Sequence, residues 1–258
     1  MNETGIIEYI VNWLSTYSQS SNTKGFVIGI SGGIDSAVTS TLAAKTGLPL
    51  LCVEMPIHQD AKQVTRANDH IAWLKTHYSN VTNETLALTS IFDAFIAAVP
   101  QSDEEAQEMS LVNTRARLRM TTLYYFAALK GMLVLGTGNK VEDFGIGFFT
   151  KYGDGGVDIR PIADLNKTQV FGLGKSLGII ESIQTAAPTD GLWGDDRTDE
   201  DQIGATYPEL EWAMDFKGDV KTLNTRQLEV LGIYNRLNRA NQHKMLPIPI
   251  CIIPEALR

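Results

Sequence analysis

Six consecutive residues, Ser31-Gly32-Gly33-Ile34-Asp35-Ser36, carry two hydroxyls, a glycine pair and one carboxylate. The glycine pair lets the backbone turn through positive φ and lets an anion come close to the amides. Successive N–H groups with a helix N-terminus behind them form an anion cradle, to which Ser31 and Ser36 add hydroxyl donors. No Gly-Lys-Ser/Thr follows, so this is not a Walker A loop, and Gly-x-Gly-x-x-Gly is absent, so it is not the dinucleotide fingerprint. Asp35 narrows the chemistry. A carboxylate beside phosphates is repulsive unless a cation stands between them, and Mg²⁺ does this with one or two carboxylates plus phosphate oxygens. A bare Ser-Gly-Gly would read as a tight turn with Asp35 and Ser36 capping the next helix. The full hexapeptide, between a strand and a helix, points to phosphate.

The elements that must present this loop follow from periodicity. Ile6, Ile7, Ile10, Val11 and Leu14 make a helical stripe over residues 2–20. Buried strands are expected at 24–30, 48–55, 80–84 and 131–136. Helices are expected at 36–46, 60–77 and 86–99, and a long one ending near Leu129. A capping box of Ser102 and Glu105, with Asp103 and Glu104 in the first turn, should open the long helix. Asn166 with Gln169 should cap a helix to about Leu177, and 225–240 reads as a final amphipathic helix. Residues 137–165 read as functional loop with a short strand near 157–162, and 185–202 as a polar loop able to close as a lid. Strands alternating with helices imply a doubly wound parallel α/β sheet flanked by helices, one domain over 1–258. The ligand is then expected at the carboxyl ends of the strands, where strand order reverses.

Composition bounds the rest. The chain has 258 residues and a net charge of -8, which argues against nucleic acid or a membrane surface as partner. No apolar run approaches the roughly 18 residues needed to cross a bilayer. The first residues lack a basic region, so no secretory signal is read and a cytoplasmic location is expected. Cys52 and Cys251 both sit among apolar residues and read as buried thiols.

Ser-Gly-Gly-x-Asp-Ser resembles the pyrophosphate loop of the N-type ATP pyrophosphatases, which adenylate a substrate oxygen. Three more segments are similar to elements of the NAD synthetases: Asn113-Thr-Arg-Ala-Arg-Leu-Arg-Met120, Leu135-Gly-Thr-Gly-Asn-Lys-Val-Glu142, and Phe148-Phe-Thr-Lys-Tyr-Gly-Asp-Gly-Gly-Val-Asp158. With Pro161, Leu165-Asn-Lys-Thr168 and Pro188-Thr189 the resemblance spans nearly the whole chain. It implies an adenine nucleotide alpha hydrolase-like fold and a homodimer that amidates deamido-NAD⁺ with ammonia, using ATP and Mg²⁺. The amphipathic helices between 86 and 129 are candidates for the dimer contact.

That resemblance also implies roles. Gly29, Ser31, Gly32, Gly33, Asp35, Ser36, Thr137, Lys167 and Thr189 would bind ATP, and Asp35 with Glu142 the Mg²⁺. Asn113 and Arg117, four apart on one helix face, Phe148, Lys151 and Asp158 would bind deamido-NAD⁺. His243-Lys244 would reach it across the dimer interface. Asp154 would take a proton from ammonium, since only neutral ammonia is nucleophilic; the plain alternative is a turn residue. Arg115 has an ordinary alternative in salt bridging to the acidic helix start. Glutamine-using relatives carry a separate amidase domain for which no segment is seen, so free ammonia is the expected donor. Many relatives have Arg-Leu-Pro where this chain reads Glu54-Met55-Pro56, so no adenine contact is carried onto Glu54. Two other readings compete: a different ATP pyrophosphatase, and an ATP-binding module without turnover. The carboxylates Asp35, Glu142 and Asp154 weigh against the second.

Overall fold

A computed structural model describes residues 1–100, 102, 106–189 and 198–258. Helix α1 (Glu3–Ser20) is capped by the Asn2 side chain, which accepts from the Gly5 amide, and buries Ile7, Ile10 and Leu14. Two βα steps follow: β1 (Phe26–Gly29) with α2 (Ile34–Ala44), and β2 (Leu50–Glu54) with α3 (Ala61–His77). Then come β3 (Val81–Thr85), α4 (Thr89–Ala98), α5 (Ala106–Lys130) and the two-residue β4 (Leu133–Val134).

The four strands are parallel in the order β3-β2-β1-β4. From β1 the chain steps outward to β2 and β3, then returns to place β4 on the other side of β1. The order therefore reverses between β1 and β4, and the loops leaving these two strands face each other across the crevice where α/β sheets bind ligands. Side chains alternate across the sheet. Phe26, Ile28 and Cys52 pack with Leu14, Val38, Leu42 and Leu74 on one face. Val27, Leu51 and Val53 pack with Phe92 and Ala127 on the other. The expected doubly wound sheet is thus present.

The C-terminal part adds α6 (Lys167–Ser176), α7 (Glu181–Gln184), α8 (Asp199–Ile203), α9 (Tyr207–Asp215) and α10 (Thr225–Met245). A separate apolar cluster of Val141, Ile146, Tyr207, Leu210 and Val230 joins α9 and α10 to the segment after β4. Among the described residues, no helix is long and apolar enough to cross a membrane.

Several expectations need correction. The strand near 157–162 reduces to one bridge, Leu135 to Ile159. The Val134 amide there donates to the Asp158 carboxylate at 2.8 Å, and Pro161 has no N–H to extend a ladder. The loop after β4 contains a π-helical turn, Val141–Ile146. Residues 199–203 form a helix, not a loop, because Thr198 and Asp201 cap each other. Helix α9 rests on a second box, Thr206 with Glu209, with Pro208 in its first turn. The capping box at Ser102 rests on Glu105, which with Asp103 and Glu104 lies outside the described residues; so do 190–197 of the expected lid. Cys52 is buried, but Cys251 is exposed, and both thiols are free.

Candidate functional site

The loop after β1 is shaped by its own side chains. Ser36 Oγ donates to the Gly33 carbonyl at 3.0 Å and lies 3.0 Å from Ser31 Oγ, which accepts from the Gly33 amide at 3.2 Å. Gly32 has φ +79°, and a Cβ there would stand 2.7 Å from the Gln63 carbonyl, so only glycine fits. Arg66 Nε donates to the Gly32 carbonyl from the neighbouring helix at 3.2 Å. Gly33 is the N-cap of α2 and supplies no side-chain cap, which leaves the first amides of the helix to an anion.

Across the crevice, the loop after β4 brings a second carboxylate. Asn139 is fully buried and acts as its jig. Its Oδ1 accepts from the Val141 and Glu142 amides at 3.2 Å, and its Nδ2 donates to Asp35 Oδ1 at 3.2 Å. Lys167, in the first turn of α6 and 3% exposed, extends its ammonium between the two acids. It donates to Asp35 Oδ2 at 2.5 Å and to Glu142 Oε1 at 3.0 Å. Burial pushes the Asp35 carboxyl up, with Lys167 opposing. Burial acts likewise on Glu142, but Lys167, Tyr207 and Asn139 outweigh it and hold that carboxyl below its ordinary value. Burial disfavours the Lys167 charge, yet the two acids beside it raise its pKa well above the lysine value.

These residues fit a divalent cation by their chemistry. Two carboxylates converge at the mouth of an anion cradle, and one ammonium leaves the trio with net negative charge. Mg²⁺ is held through one or two carboxylates plus phosphate and water oxygens. Among the described residues no group of three or more His, Cys, Asp or Glu is placed to hold a metal ion.

The same cleft is lined by Gly29, the loop Ser31–Ser36, Thr137, Glu142, Phe148, Asp154, Lys167 and Thr189. Twelve residues expected at the site, spread over 160 positions, are therefore brought together. Asp154 Oδ1 accepts from the Thr150 amide at 2.9 Å; burial still pushes its carboxyl up to about 6. Lys167 is placed by the structure against the two carboxylates, not against the glycine pair. Glu54 is buried and also lines the cleft, with Oε2 accepting from the Thr85 hydroxyl at 3.2 Å.

Six expected residues are placed outside this lining among the described residues. Asp158 accepts from Tyr124 at 3.0 Å and from Val134, and so terminates β4. Asn113 Oδ1 accepts from the Thr150 hydroxyl at 2.6 Å, and Arg117 donates to the Lys151 carbonyl at 3.4 Å. Lys151 donates to the His243 carbonyl. His243 is exposed. Lys244 donates to the Gly147 and Phe149 carbonyls of its own chain, at 3.0 and 2.9 Å. Arg115 lies over the Phe92 ring at 4.9 Å; the acidic helix start expected to pair with it, Asp103 to Glu105, lies outside the described residues.

Four residues at or behind the cleft were not read from the sequence. Arg119 donates to the Met55 carbonyl and to Gln59. Asp143 pairs with Arg160 at 3.4 Å, and burial lifts its carboxyl to about 7. Asp199 lines the cleft, and the Tyr207 hydroxyl donates to Glu142. The Thr206-x-x-Glu209 pattern announces the helix that carries Tyr207, but nothing local announces what its hydroxyl meets.

Comparison with known proteins gives the family. The NAD synthase family matches residues 6–247. The NH(3)-dependent NAD(+) synthetase of Carboxydothermus hydrogenoformans is 36% identical over 245 residues, covering 92% of this chain and 93% of the relative. A structure of NMN synthetase from Francisella tularensis superposes with a TM-score of 0.84 at 35% identity, covering 99% of both chains. The NH3-dependent NAD synthetase of Campylobacter jejuni, solved with nitrate, gives 0.78 at 26% identity, covering 98% of this chain and all of that one. Loop, paired acids and bridging lysine thus stand in a chain that belongs to the NAD synthase family.

Proposed function

We infer that the protein is an ammonia-dependent NAD⁺ synthetase, converting deamido-NAD⁺, ATP and ammonia to NAD⁺, AMP and pyrophosphate. The single observation that carries this is the convergence of the Ser31–Ser36 loop, the Asp35–Lys167–Glu142 trio, Phe148 and Asp154 on one cleft. A nicotinate carboxylate needs a leaving group before an amine can displace it. Its oxygen attacks the α-phosphorus of ATP, the bond to pyrophosphate breaks, and an acyl-adenylate results. Loop amides aimed at the departing phosphates stabilise charge where it develops. Asp35 and Glu142 would hold Mg²⁺, which when bound would supply positive charge to the triphosphate. Phe148 offers an aromatic face to the planar nicotinate ring. Asp154 accepts the proton that ammonium must lose; ammonia then attacks the acyl carbon and AMP departs.

The protein is expected to work in the cytoplasm as a homodimer. Ile91 and Phe95 on α4, with Met109, Tyr125 and Leu129 on α5, are exposed and offer the face for that contact; a monomeric mass at working concentration sinks it.

The test is incubation with ATP, Mg²⁺, deamido-NAD⁺ and ammonium. NAD⁺ and AMP should appear in equal amounts, and ATP binding without AMP release would leave only a binding module. A second reading, nicotinate mononucleotide as the acid, has a specific observation in its favour. The solved NMN synthetase matches end to end, and Lys244, expected to reach the dinucleotide, is engaged within its own chain. Running both acids in the same assay decides by the ratio of kcat/KM.

A further inference from the structure

Tyr207 is the first residue of α9 and only 3% exposed. Its position is fixed twice over, by the Thr206–Glu209 capping box and by its own amide donating to Glu200 Oε1 at 2.8 Å. Its hydroxyl donates to Glu142 Oε1 at 2.5 Å and lies 3.3 Å from Asp199 Oδ2. Lys167 Nζ stands over its ring, 4.8 Å from the centroid. The ring itself packs in the apolar cluster with Val141, Ile146 and Leu210, a place that phenylalanine would fill equally well. Burying a hydroxyl there costs free energy unless a partner is met, and the partner is a carboxylate of the nucleotide site.

We propose that Tyr207 is the positioning residue for Glu142 in the half-site that takes ATP and its divalent cation. Glu142 Oε1 receives two donors, Tyr207 Oη and Lys167 Nζ. Two donors on one oxygen stop the carboxylate from rotating and give the other oxygen a single direction. Without the tyrosine, that oxygen would keep only Lys167, whose ammonium is shared with Asp35. Outer partners that orient metal-binding carboxylates typically change metal affinity by roughly 10–100-fold when removed. This inference rests on the reading of the site as an ATP–Mg²⁺ site.

The test is calorimetric ATP binding to the full chain over a series of Mg²⁺ concentrations, with no acid substrate present. Tyr207→Phe keeps the ring and removes the hydroxyl. The Mg²⁺ concentration for half-maximal ATP binding should rise about tenfold, while the KM for deamido-NAD⁺ stays within about twofold and the metal-free melting temperature holds. Arg226→Gln is the control for general loosening of α9, since Arg226 grips Glu209 through both carboxylate oxygens at 2.7 and 2.8 Å, away from Glu142. It should leave the Mg²⁺ requirement unchanged. An unchanged Mg²⁺ requirement in Tyr207→Phe overturns the proposal, and so does an equal rise in Arg226→Gln. Failure of the unaltered protein to bind ATP with Mg²⁺ removes the reading of the site itself, and this proposal with it.

Discussion

The two halves of the cleft are held in place in different ways. On the triphosphate side, the functional groups sit on loops that leave adjacent strands and bind one another. Asp35, Asn139, Glu142 and Lys167 form a closed set of side-chain hydrogen bonds, and the Ser31–Ser36 loop braces itself. On the side of the acid substrate, residues 147–156 belong to no strand or helix and are held from outside by two helices. From α10, Asn238 donates to the Gly145 carbonyl at 2.7 Å, Asn241 to Ile146 at 2.8 Å, and Lys244 to Gly147 and Phe149. From α5, Asn113 holds Thr150. The π-helical turn leaves its last carbonyls without partners in the turn, and α10 supplies them. One half is closed by side chains that bond one another, the other mostly by side chains of α10 that bond backbone carbonyls. Changes in α5 and α10 should therefore damage use of the acid substrate and spare ATP.

The largest effect is expected where the closed set is broken. Asp35→Asn removes one of two carboxylates that Mg²⁺ would use, and should lower kcat/KM by about 10²–10³-fold, the scale for losing one preorganised electrostatic contact. Pyrophosphate release measures it. Circular dichroism should be unchanged, and near-normal turnover would remove Asp35 from the chemistry.

Next comes Asp154→Asn, expected to cost about 10²-fold in kcat with ATP binding intact. The native profile should fall as pH drops through about 6, where the Asp154 carboxyl takes up its proton. The variant should lose that acid limb. Stability has the opposite sign. A carboxyl with a raised pKa holds its proton more tightly in the folded chain than in the unfolded one, so its contribution is full at low pH and is lost as pH rises from about 4 to about 6. Asp154→Asn should therefore melt higher than the native protein at neutral pH, and an unchanged melting temperature would contradict the burial.

These two halves also differ in how far the sequence discloses them. The phosphate loop, both carboxylates and Lys167 are legible because each lies next to its element in the chain: a strand end, a glycine pair, a capped helix start. The doubly wound sheet is legible for the same reason, since buried strands alternate with helices. What stays hidden are contacts between distant positions. Tyr207 lies 65 residues from Glu142 and Asn241 lies 95 from Ile146, and no local pattern encodes either distance. Asp158 and Lys244 have a further part in the fold. The resemblance implies that they meet the substrate, and their hydrogen bonds to β4 and to the loop backbone show a structural part that the sequence does not announce. Thr198-x-x-Asp201 and Thr206-x-x-Glu209 do announce α8 and α9, but the polarity of 185–202 masks the first of them.

A sharper separation of the halves comes from Lys244→Met. It keeps an unbranched side chain but removes the ammonium from two carbonyls and from the Phe149 ring, which it approaches to 5.6 Å. Hydrogen bonds from a charged donor are worth about 1.5–3 kcal/mol, so KM for the acid substrate should rise about tenfold or more. The ATP dissociation constant should not move. An equal loss on both substrates would mean that the halves are mechanically one.

The smallest effect tests the α5 side of the same loop. Asn113→Ala leaves the buried Thr150 hydroxyl without its acceptor, a loss of about 1 kcal/mol. The Thr150 amide still donates to Asp154, so the loop should remain seated, only less sharply, and kcat/KM for the acid substrate should fall about fivefold. The conservative Asn113→Asp keeps an acceptor for Thr150 and should recover most of that loss. If Asn113→Asp is as impaired as Asn113→Ala, the amide itself, and not its hold on Thr150, is what the reaction uses, and Asn113 returns to direct contact with the substrate.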